Sequence, residues 1–220
     1  MTTDSPKSVR LGRDTIIGVA LELAAAPGVG DLTFRELGRA LGVDHTALYR
    51  HFPSKQSLMW AAFDQLVAEV ESRLQGEREL GWREFLEQGA ITFHDVFVTH
   101  PSLAVHAMEA RDVGPAELRL VDRILRSLSE AGLSGESLLA YYGAYSSLVL
   151  SLTAMAAKEE VSAAINDDTV NWVPTREPLS AATHPHLFPV WNDLATLSFR
   201  DSYIACIAFT LDAIESAPRP

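Results

Sequence analysis

The stretch LTFRELGRALGVDHTALYRHFPSKQSL, Leu32–Leu58, decides the fold, because local signals alone locate two short helices and a tight turn within it. Thr33 and Glu36 have the spacing of a capping box, in which each side chain binds a backbone N–H of the other residue. Gly42 interrupts the first helix and can adopt the positive φ of a turn. Asp44 can cap a second short helix. The segment is therefore predicted to form a helix-turn-helix.

The second short helix has an apolar face and a polar face. The residues of the whole motif that are expected to bury are Leu37, Leu41, Val43, Leu48 and Phe52. The side chains expected to remain outside are those of His45, Thr46, Tyr49 and Arg50, which can bind base edges and phosphates. The alternative is a helical hairpin with an ordinary solvated face. The agreement of cap, turn and exposed donors, with the small Gly38 where the helices cross, favours DNA binding.

Helical periodicity continues on both sides of this motif, and no strand-like alternation is present. Ile16, Ile17 and Ala20 recur at helical spacing before it. Ser54 can cap a longer helix whose apolar stripe is Leu58, Met59, Ala62, Phe63, Leu66, Val67 and Val70. The prediction is an all-α protein with a three-helix helix-turn-helix domain followed by a second helical domain. Its predicted parts are an arm at 1–12, a DNA-binding domain at 13–75, and a ligand-binding and dimerisation domain at 76–220.

The charge of the chain is unevenly distributed. The 220 residues carry 18 Lys and Arg against 29 Asp and Glu, a net charge of −11. The stretch from Lys7 to Lys55 contains seven basic and five acidic residues, whereas residues 76–220 contain ten basic and twenty acidic residues. Most of the surface is thus expected to repel a polyanion while one end attracts it, which favours a defined docking orientation. Random surface charge would give the same count, so the motif carries the argument.

Residues 13–71 resemble the DNA-binding domain of the TetR/AcrR family of transcriptional regulators, and LYRHF followed by SK is the most specific part of the likeness. The resemblance implies roles for eight residues. Thr33 and Arg35 would contact phosphates, as would Tyr49 and His51, and Lys55 would hold a phosphate at the start of the following helix. His45, Thr46 and Arg50 would reach bases. Arg10 and Arg13 precede the first helix and are weaker candidates for minor-groove or phosphate contacts.

The second domain contains helical faces and no catalytic constellation. Ligand sites between helices are mostly apolar, and the candidates here are Phe93, Phe97, His100, Met108, Tyr142, Tyr145 and Met155. Plain core is the favoured alternative for each of them, because aromatic stripes at helical spacing bury by default. The histidines lack the i, i+3 or i, i+4 pairs that a metal site needs, so no metal and no cofactor are expected.

Two apolar helices are candidates for a subunit interface. Residues 137–157 carry no formal charge over 21 positions, and residues 198–216 are apolar on more than one face. The first segment is long enough to raise the question of a membrane span. Its serines, tyrosines and glycine favour a helix buried on several faces instead, and no membrane partner is expected. Together with the family resemblance, the two helices predict a C2 homodimer that binds a near-palindromic operator.

Residues 161–197 form the least regular stretch, in which Trp172, Phe188 and Trp191 could anchor a lid or docking arm. A loosely packed surface insertion is an equal alternative. The single Cys206 excludes an intramolecular disulfide framework, and the first residues lack the apolar stretch of a secretory signal. A cytoplasmic location is therefore expected.

Three functional hypotheses follow from these observations. The first is a transcriptional repressor released from double-stranded DNA by a small, largely apolar inducer of unknown identity. The second is an activator or a ligand-independent regulator of the same fold. The third is a helical enzyme, which is disfavoured because no G-x-S-x-G, H-E-x-x-H, P-loop or G-x-G-x-x-G motif is present.

Overall fold

The computed structural model describes residues 11–25, 32–75, 80–106, 113–165, 179–196 and 198–217. These residues contain no strand, so the predicted all-α class is confirmed. The elements in chain order are α1 (Arg13–Ala24), α2 (Phe34–Leu41), a 3₁₀ helix (His45–Arg50), α3 (Lys55–Leu74), α4 (Trp82–Phe97), α5 (Pro101–His106), α6 (Pro115–Glu130), α7 (Gly135–Ile165), a second 3₁₀ turn (Phe188–Val190), α8 (Trp191–Thr196) and α9 (Phe199–Glu215).

The N-terminal helices α1, α2 and the 3₁₀ helix pack on the first half of α3. Leu37, Leu48 and Phe52 are fully buried at their centre, as predicted. Leu41 and Val43 are only half-buried, because they lie where the turn between α2 and the 3₁₀ helix reaches the surface. Burial of these apolar side chains holds the turn against α3 without any contribution from a disulfide.

Helix α3 belongs to both halves of the molecule. All seven residues of its predicted apolar stripe are buried. They cover more than one face of the helix, and α3 packs against α1 on one side and against α4 and α6 on the other. The proposed boundary at residue 76 lies outside the described residues.

The start and the orientation of two C-terminal helices differ from the sequence expectation. Pro101 begins α5 instead of ending the preceding helix, which stops at Phe97. Proline is compatible with the first turn of a helix because its missing N–H has no partner there. In α6, helical spacing predicts an apolar stripe of Leu118, Val121, Leu125 and Leu128, yet Leu118 is exposed. The face that packs on the core contains Leu128 together with Ala116, Leu120 and Ile124.

Helix α7 is less buried than its sequence predicts. Its segment Gly135–Lys158 is long and apolar enough, by length and composition, to cross a membrane, and only 22% of it is buried. The Tyr145 hydroxyl anchors one face by donating to the Leu86 carbonyl of α4. On other faces Leu139 and Met155 are 65% and 47% exposed. Among the described residues, α7 is buried where it meets α4, α5, α6 and α9, and its remaining surface is exposed in the single chain.

The stretch predicted to be irregular is helical at both of its ends. Helix α7 continues to Ile165, and α8 begins at Trp191. Phe188 is exposed, so it does not anchor the segment to the rest of the described chain. Trp172 lies outside the described residues, as do Arg10 and the Pro-Gly stretch expected to end α1.

Candidate nucleic-acid interface and ligand cavity

The turn between α2 and the 3₁₀ helix requires glycine at two positions for different reasons. Gly42 has φ of 66°, in the left-handed region that favours glycine. Gly38 instead meets the turn closely: a Cβ added there would lie 3.0 Å from the Val43 carbonyl oxygen and 3.1 Å from the His45 Cα. The backbone of the turn thus packs directly on α2, which fixes the direction in which the 3₁₀ helix leaves.

Both predicted caps form. The Glu36 N–H donates to the Thr33 Oγ1 at 3.2 Å, and the Thr33 N–H donates to the Glu36 carboxylate at 2.9 Å. The Thr46 N–H donates to the Asp44 Oδ1 at 2.8 Å. Hydrogen bonds from the Thr33 and Thr46 side chains, respectively, are the main cause that lowers the pKa of the Glu36 and Asp44 carboxyl groups.

The second helix of the motif is a 3₁₀ helix and not an α-helix. The Ala47 N–H donates to the Asp44 carbonyl and the His51 N–H to the Leu48 carbonyl, both at 2.9 Å and both three residues back. Short 3₁₀ segments are common in proteins, and this one lies between the Asp44 cap and Pro53. The segment still presents the polar side chains that the sequence placed outside.

The eight predicted DNA-contacting side chains all remain accessible to solvent. Those of Thr33, Arg35, Thr46, Tyr49 and Arg50 are exposed, and those of His45, His51 and Lys55 are half-buried. Tyr49 is 54% exposed while its ring meets the Phe34 ring edge-on at 4.9 Å. Among the described residues, neither Arg35 nor Arg50 has an acidic partner. These guanidinium groups are therefore available for a polyanion.

Some of the predicted donors are already in use inside the domain. The Thr33 hydroxyl donates to Glu36 at 2.7 Å and the Thr46 hydroxyl to Asp44 at 2.6 Å, so each can meet DNA only as an acceptor unless its cap rearranges. Arg13 is the first residue of α1 and does not precede it. Its guanidinium lies 4.1 Å from the centre of the Phe52 ring and donates to the His51 carbonyl. Arg13 thus joins α1 to the end of the 3₁₀ helix His45–Arg50, hereafter the recognition segment.

A narrow, mainly apolar cavity of about 90 Å³ lies between α3, α4, α6 and α7. Aromatic rings from three of these helices line it, including Phe63 of α3, Phe85 and Phe93 of α4, and Tyr142 of α7. Aliphatic side chains and the single carboxylate Glu117 complete most of the wall. A cavity with this lining suits a small apolar molecule with few polar groups.

The seven predicted ligand-binding residues divide into three groups. Phe93, Tyr142 and Tyr145 line the cavity. Phe97 is buried behind it, stacked on Phe93 with 4.2 Å between ring centres. His100 and Met155 do not line this cavity, and Met108 lies outside the described residues.

His100 and Met155 fail as cavity residues because of the helices that carry them. The His100 ring follows the end of α4, where its Nδ1 lies 3.0 Å from the Val96 carbonyl oxygen. Met155 is on the exposed face of α7. Helical spacing alone could not tell this face from the face that meets α4 and α6.

Most of the lining residues were not among the predicted ligand-binding residues, and the most informative of those missed are Phe63, Val67 and Glu117. The first two were assigned to the core of the DNA-binding domain. The width of the apolar stripe on α3 could have revealed them. Apolar residues at i, i+1, i+4 and i+5 form a stripe wide enough to pack against more than one neighbouring helix. Nothing in the sequence distinguishes Glu117 from the surface acids of α6.

A hydrogen-bonded joint connects α3 to α6 beside the cavity. The N–H groups of Ala116 and Glu117, in the first turn of α6, both donate to Asp64 Oδ1 of α3 at 2.9 Å. A Cβ added at Gly114 would lie 2.2 Å from the Asp64 carboxylate, so only glycine leaves space for this arrangement. A second link runs from the Arg119 guanidinium to the Glu71 carboxylate, at 2.7 Å.

Comparisons with known proteins give matches in both the N-terminal and the C-terminal part of the chain. Residues 16–62 match the family described as bacterial regulatory proteins, tetR family, and residues 75–214 match the tetracyclin repressor-like C-terminal domain. The chain is 34% identical to the Escherichia coli tetracycline repressor protein class A from transposon 1721 over 126 residues, which are 57% of each protein. The chain therefore matches little more than half the length of this curated relative.

Solved structures of the same fold span nearly the whole chain. One is the Streptomyces coelicolor transcriptional regulator SCO7222, with a TM-score of 0.75 and 22% identity over 96% of this chain and all of that one. Another is the Streptomyces coelicolor TetR family protein ActR in complex with (S)-DNPA, with a TM-score of 0.73 and 21% identity over 94% of this chain and 98% of that one. The matched families and these relatives are transcriptional regulators, so they give the enzyme hypothesis no support. A capped helix-turn-helix, a helical C-terminal domain and two domain matches that together cover most of the sequence make this chain a member of the TetR family of bacterial regulatory proteins.

Proposed function

We propose that this protein is a ligand-responsive transcriptional repressor, which binds a double-stranded DNA operator through residues 33–55 and releases it when a small, largely apolar molecule enters the cavity. One observation carries the proposal: α3 begins directly after the recognition segment and contributes Phe63 and Val67 to the cavity wall. The likeness to tetracycline repressor proteins supports repression over activation. The site of action of such a regulator is the bacterial cytoplasm.

The eight accessible residues of the motif are the proposed DNA contacts. Arg35 and Arg50 supply exposed charge, Tyr49 a hydroxyl held by ring packing, and Lys55 a cation at the N-terminus of α3. His45 and Thr46 would join Arg50 at base edges. The acidic remainder of the chain would keep DNA on this one surface.

The ligand would act through the joint between α3 and α6. A molecule between α4, α6 and α7 changes the equilibrium only if it binds the DNA-bound and the released conformations with different affinity. Displacement of α6 would move Asp64, and with it the helix that follows the recognition segment. The cavity lining includes Phe93, Tyr142 and Tyr145.

The proposed functional unit is a homodimer formed by residues 137–157 and 198–216. Leu139 of α7 and Phe209 of α9 are 65% and 70% exposed in the single chain, which is unusual for large apolar side chains on helices. A second copy related by a two-fold axis would cover them. Sedimentation velocity should give a dimer for the wild type and a monomer for Phe209→Glu, with Asp212→Asn as a control on the same helix.

The test of function is fluorescence anisotropy with DNA from upstream of the protein's own gene. Specific binding should resist competitor DNA and weaken steeply with salt, because phosphate contacts release counterions. Equal affinity for random DNA would contradict the operator proposal, provided that protein refolded free of co-purified ligand behaves identically. The position of the operator relative to the promoter distinguishes repression from activation.

A further inference from the structure

The charge lining the cavity has no counter-charge in the described part of the chain. Glu117 is half-buried and lies on a wall that is otherwise mainly aromatic and aliphatic. Burial is the main cause that raises the pKa of its carboxyl group, and the nearby Asp64 carboxylate adds to it. An apolar environment disfavours an ionised carboxylate unless a cation or several donors compensate.

The basic residues that share α6 with Glu117 are engaged elsewhere. The Arg119 guanidinium is held by Glu71, and the Arg123 guanidinium lies 4.3 Å from the centre of the Phe85 ring. The backbone N–H of Gly114 lowers the pKa of the Glu117 carboxyl, but it carries no charge. In the described part of the chain, the Glu117 carboxylate therefore lines the cavity without a cationic partner.

A structural role explains only part of this arrangement. Glu117 is the third residue of α6, the position at which a glutamate or glutamine side chain binds the N-cap N–H. A neutral glutamine would satisfy that N–H equally well, and the negative charge beside Asp64 is unfavourable for the ligand-free protein. The charge itself is what calls for another explanation.

We propose that the cavity accepts an apolar, preferably aromatic molecule with one protonated amine, whose ammonium group pairs with Glu117. The rings of Phe63, Phe85, Phe93 and Tyr142 would enclose the apolar part and add cation–π attraction where the amine lies over a face. The ammonium would supply the missing charge in a site with little water, where such a pair is strong. This inference rests on the proposed function of the cavity as a ligand site.

The position of Glu117 also connects the ligand to the DNA-binding half. Its backbone N–H is one of the two groups that bind Asp64 of α3. An ammonium group at Glu117 would thus lie beside the joint between α6 and α3. Pairing there offsets the repulsion between Glu117 and Asp64, so the amine would act on the contact that joins the two halves.

The test uses three probes of one shape and different charge: phenylbutylamine, phenylbutanol and phenylbutyrate. Calorimetric titration of the full-length wild type at neutral pH should show the amine binding at least about tenfold more tightly than the alcohol, because a charge-assisted hydrogen bond contributes more than a neutral one. The carboxylate should bind most weakly. Glu117→Gln should reduce the ratio of amine to alcohol affinity to about threefold or less by removing the charge.

The variant is chosen to keep the fold. Glutamine keeps the size of the side chain and an oxygen that can accept from the N-cap N–H. Glu130→Gln makes the same change at the far, exposed end of α6 and is a control that should keep the wild-type ratio. Equal affinity of the wild type for amine and alcohol would overturn the proposal, as would no binding of the amine. Operator binding, measured on the same preparation, reports separately on the regulator function.

Discussion

Residues 33–55 and the cavity hold their functional side chains in different ways. In the first region the functional side chains point to solvent, and the backbone beneath them is held by hydrogen bonds between residues two to four positions apart. In the second region the functional side chains are themselves part of the core, and four helices from distant parts of the chain bring them together. Exposed contacts such as Arg50 can therefore change with little loss of stability, although Thr33 and Thr46 also take part in helix caps. A change of ligand also changes the packing.

The largest effect is expected where function and core coincide. Phe93→Ala removes a buried ring that stacks on Phe97, so the free energy of unfolding should fall by about 3–5 kcal/mol. Chemical denaturation measures the loss. Arg50→Ala is the matched change at the exposed surface and should alter stability by less than about 0.5 kcal/mol. Similar losses in the two variants would remove the contrast between the regions.

For DNA affinity, the order of the two regions should be reversed, and the exposed residues should have the larger effect. Arg50→Ala is expected to lower operator affinity by about 1–3 kcal/mol and to relax base preference, because its guanidinium is free to bind bases. Tyr49→Ala should weaken binding to operator and random DNA alike. Anisotropy titrations with both DNAs measure the two effects. If both variants bind every DNA as the wild type does, the recognition segment has been misassigned.

The hydrogen-bonded joint between α3 and α6 should be more sensitive to substitution than an ordinary helix cap is. Asp64→Ala removes the acceptor for two N–H groups of α6 and should destabilise the protein by about 1–2 kcal/mol. Hydrogen exchange should show faster exchange of the Ala116 and Glu117 amides.

Two further variants sharpen this test. Gly114→Ala should reproduce the faster exchange, since its Cβ takes the space of the Asp64 carboxylate. Ser54→Ala removes the cap of α3 instead and should leave the amides of α6 protected. Unchanged exchange in Asp64→Ala would mean that the joint contributes nothing to α6.

The smallest effect is a dependence on pH. The pKa of Glu117 is raised above its ordinary value of 4.5, so the folded protein binds this proton more tightly than the unfolded chain does. Ionised Glu117 therefore lowers stability at neutral pH, and Glu117→Gln should be slightly more stable there. The advantage should shrink as pH falls through the raised pKa and vanish below 4.5. Thermal unfolding of both proteins across this range measures the difference, and a constant difference would contradict the assignment.

The DNA-binding segment could be predicted from sequence because its determinants are local. Thr33 and Glu36 cap α2, and Asp44 caps the next segment, through contacts that spacing alone reveals. The glycine of the turn is in the conformation that was expected of it. The 3₁₀ winding of the second helix, the half-burial of Leu41 and Val43 and the place of Arg13 inside α1 were missed, because the local pattern does not specify them.

The cavity could be predicted only in part because its determinants are contacts between helices. The spacing that identified Phe93 and Tyr142 also selected Met155, which is on the exposed side of α7. Which face of a helix meets which neighbour depends on the crossing of helices far apart in sequence. Phe63, Val67 and Glu117 were missed for the same reason.

The two-sided burial of α3 has a consequence for the recombination of such proteins. A chimera that took residues 13–75 from a relative would also exchange Phe63 and Val67, which form one wall of the ligand cavity of this chain, its sensor. It would exchange Asp64 as well, which binds the first turn of α6. A crossover ahead of Lys55 would transfer the recognition segment and leave the sensor whole. In this chain the exchangeable DNA-reading module therefore ends before α3, whereas the match to the family's N-terminal domain continues into that helix as far as residue 62.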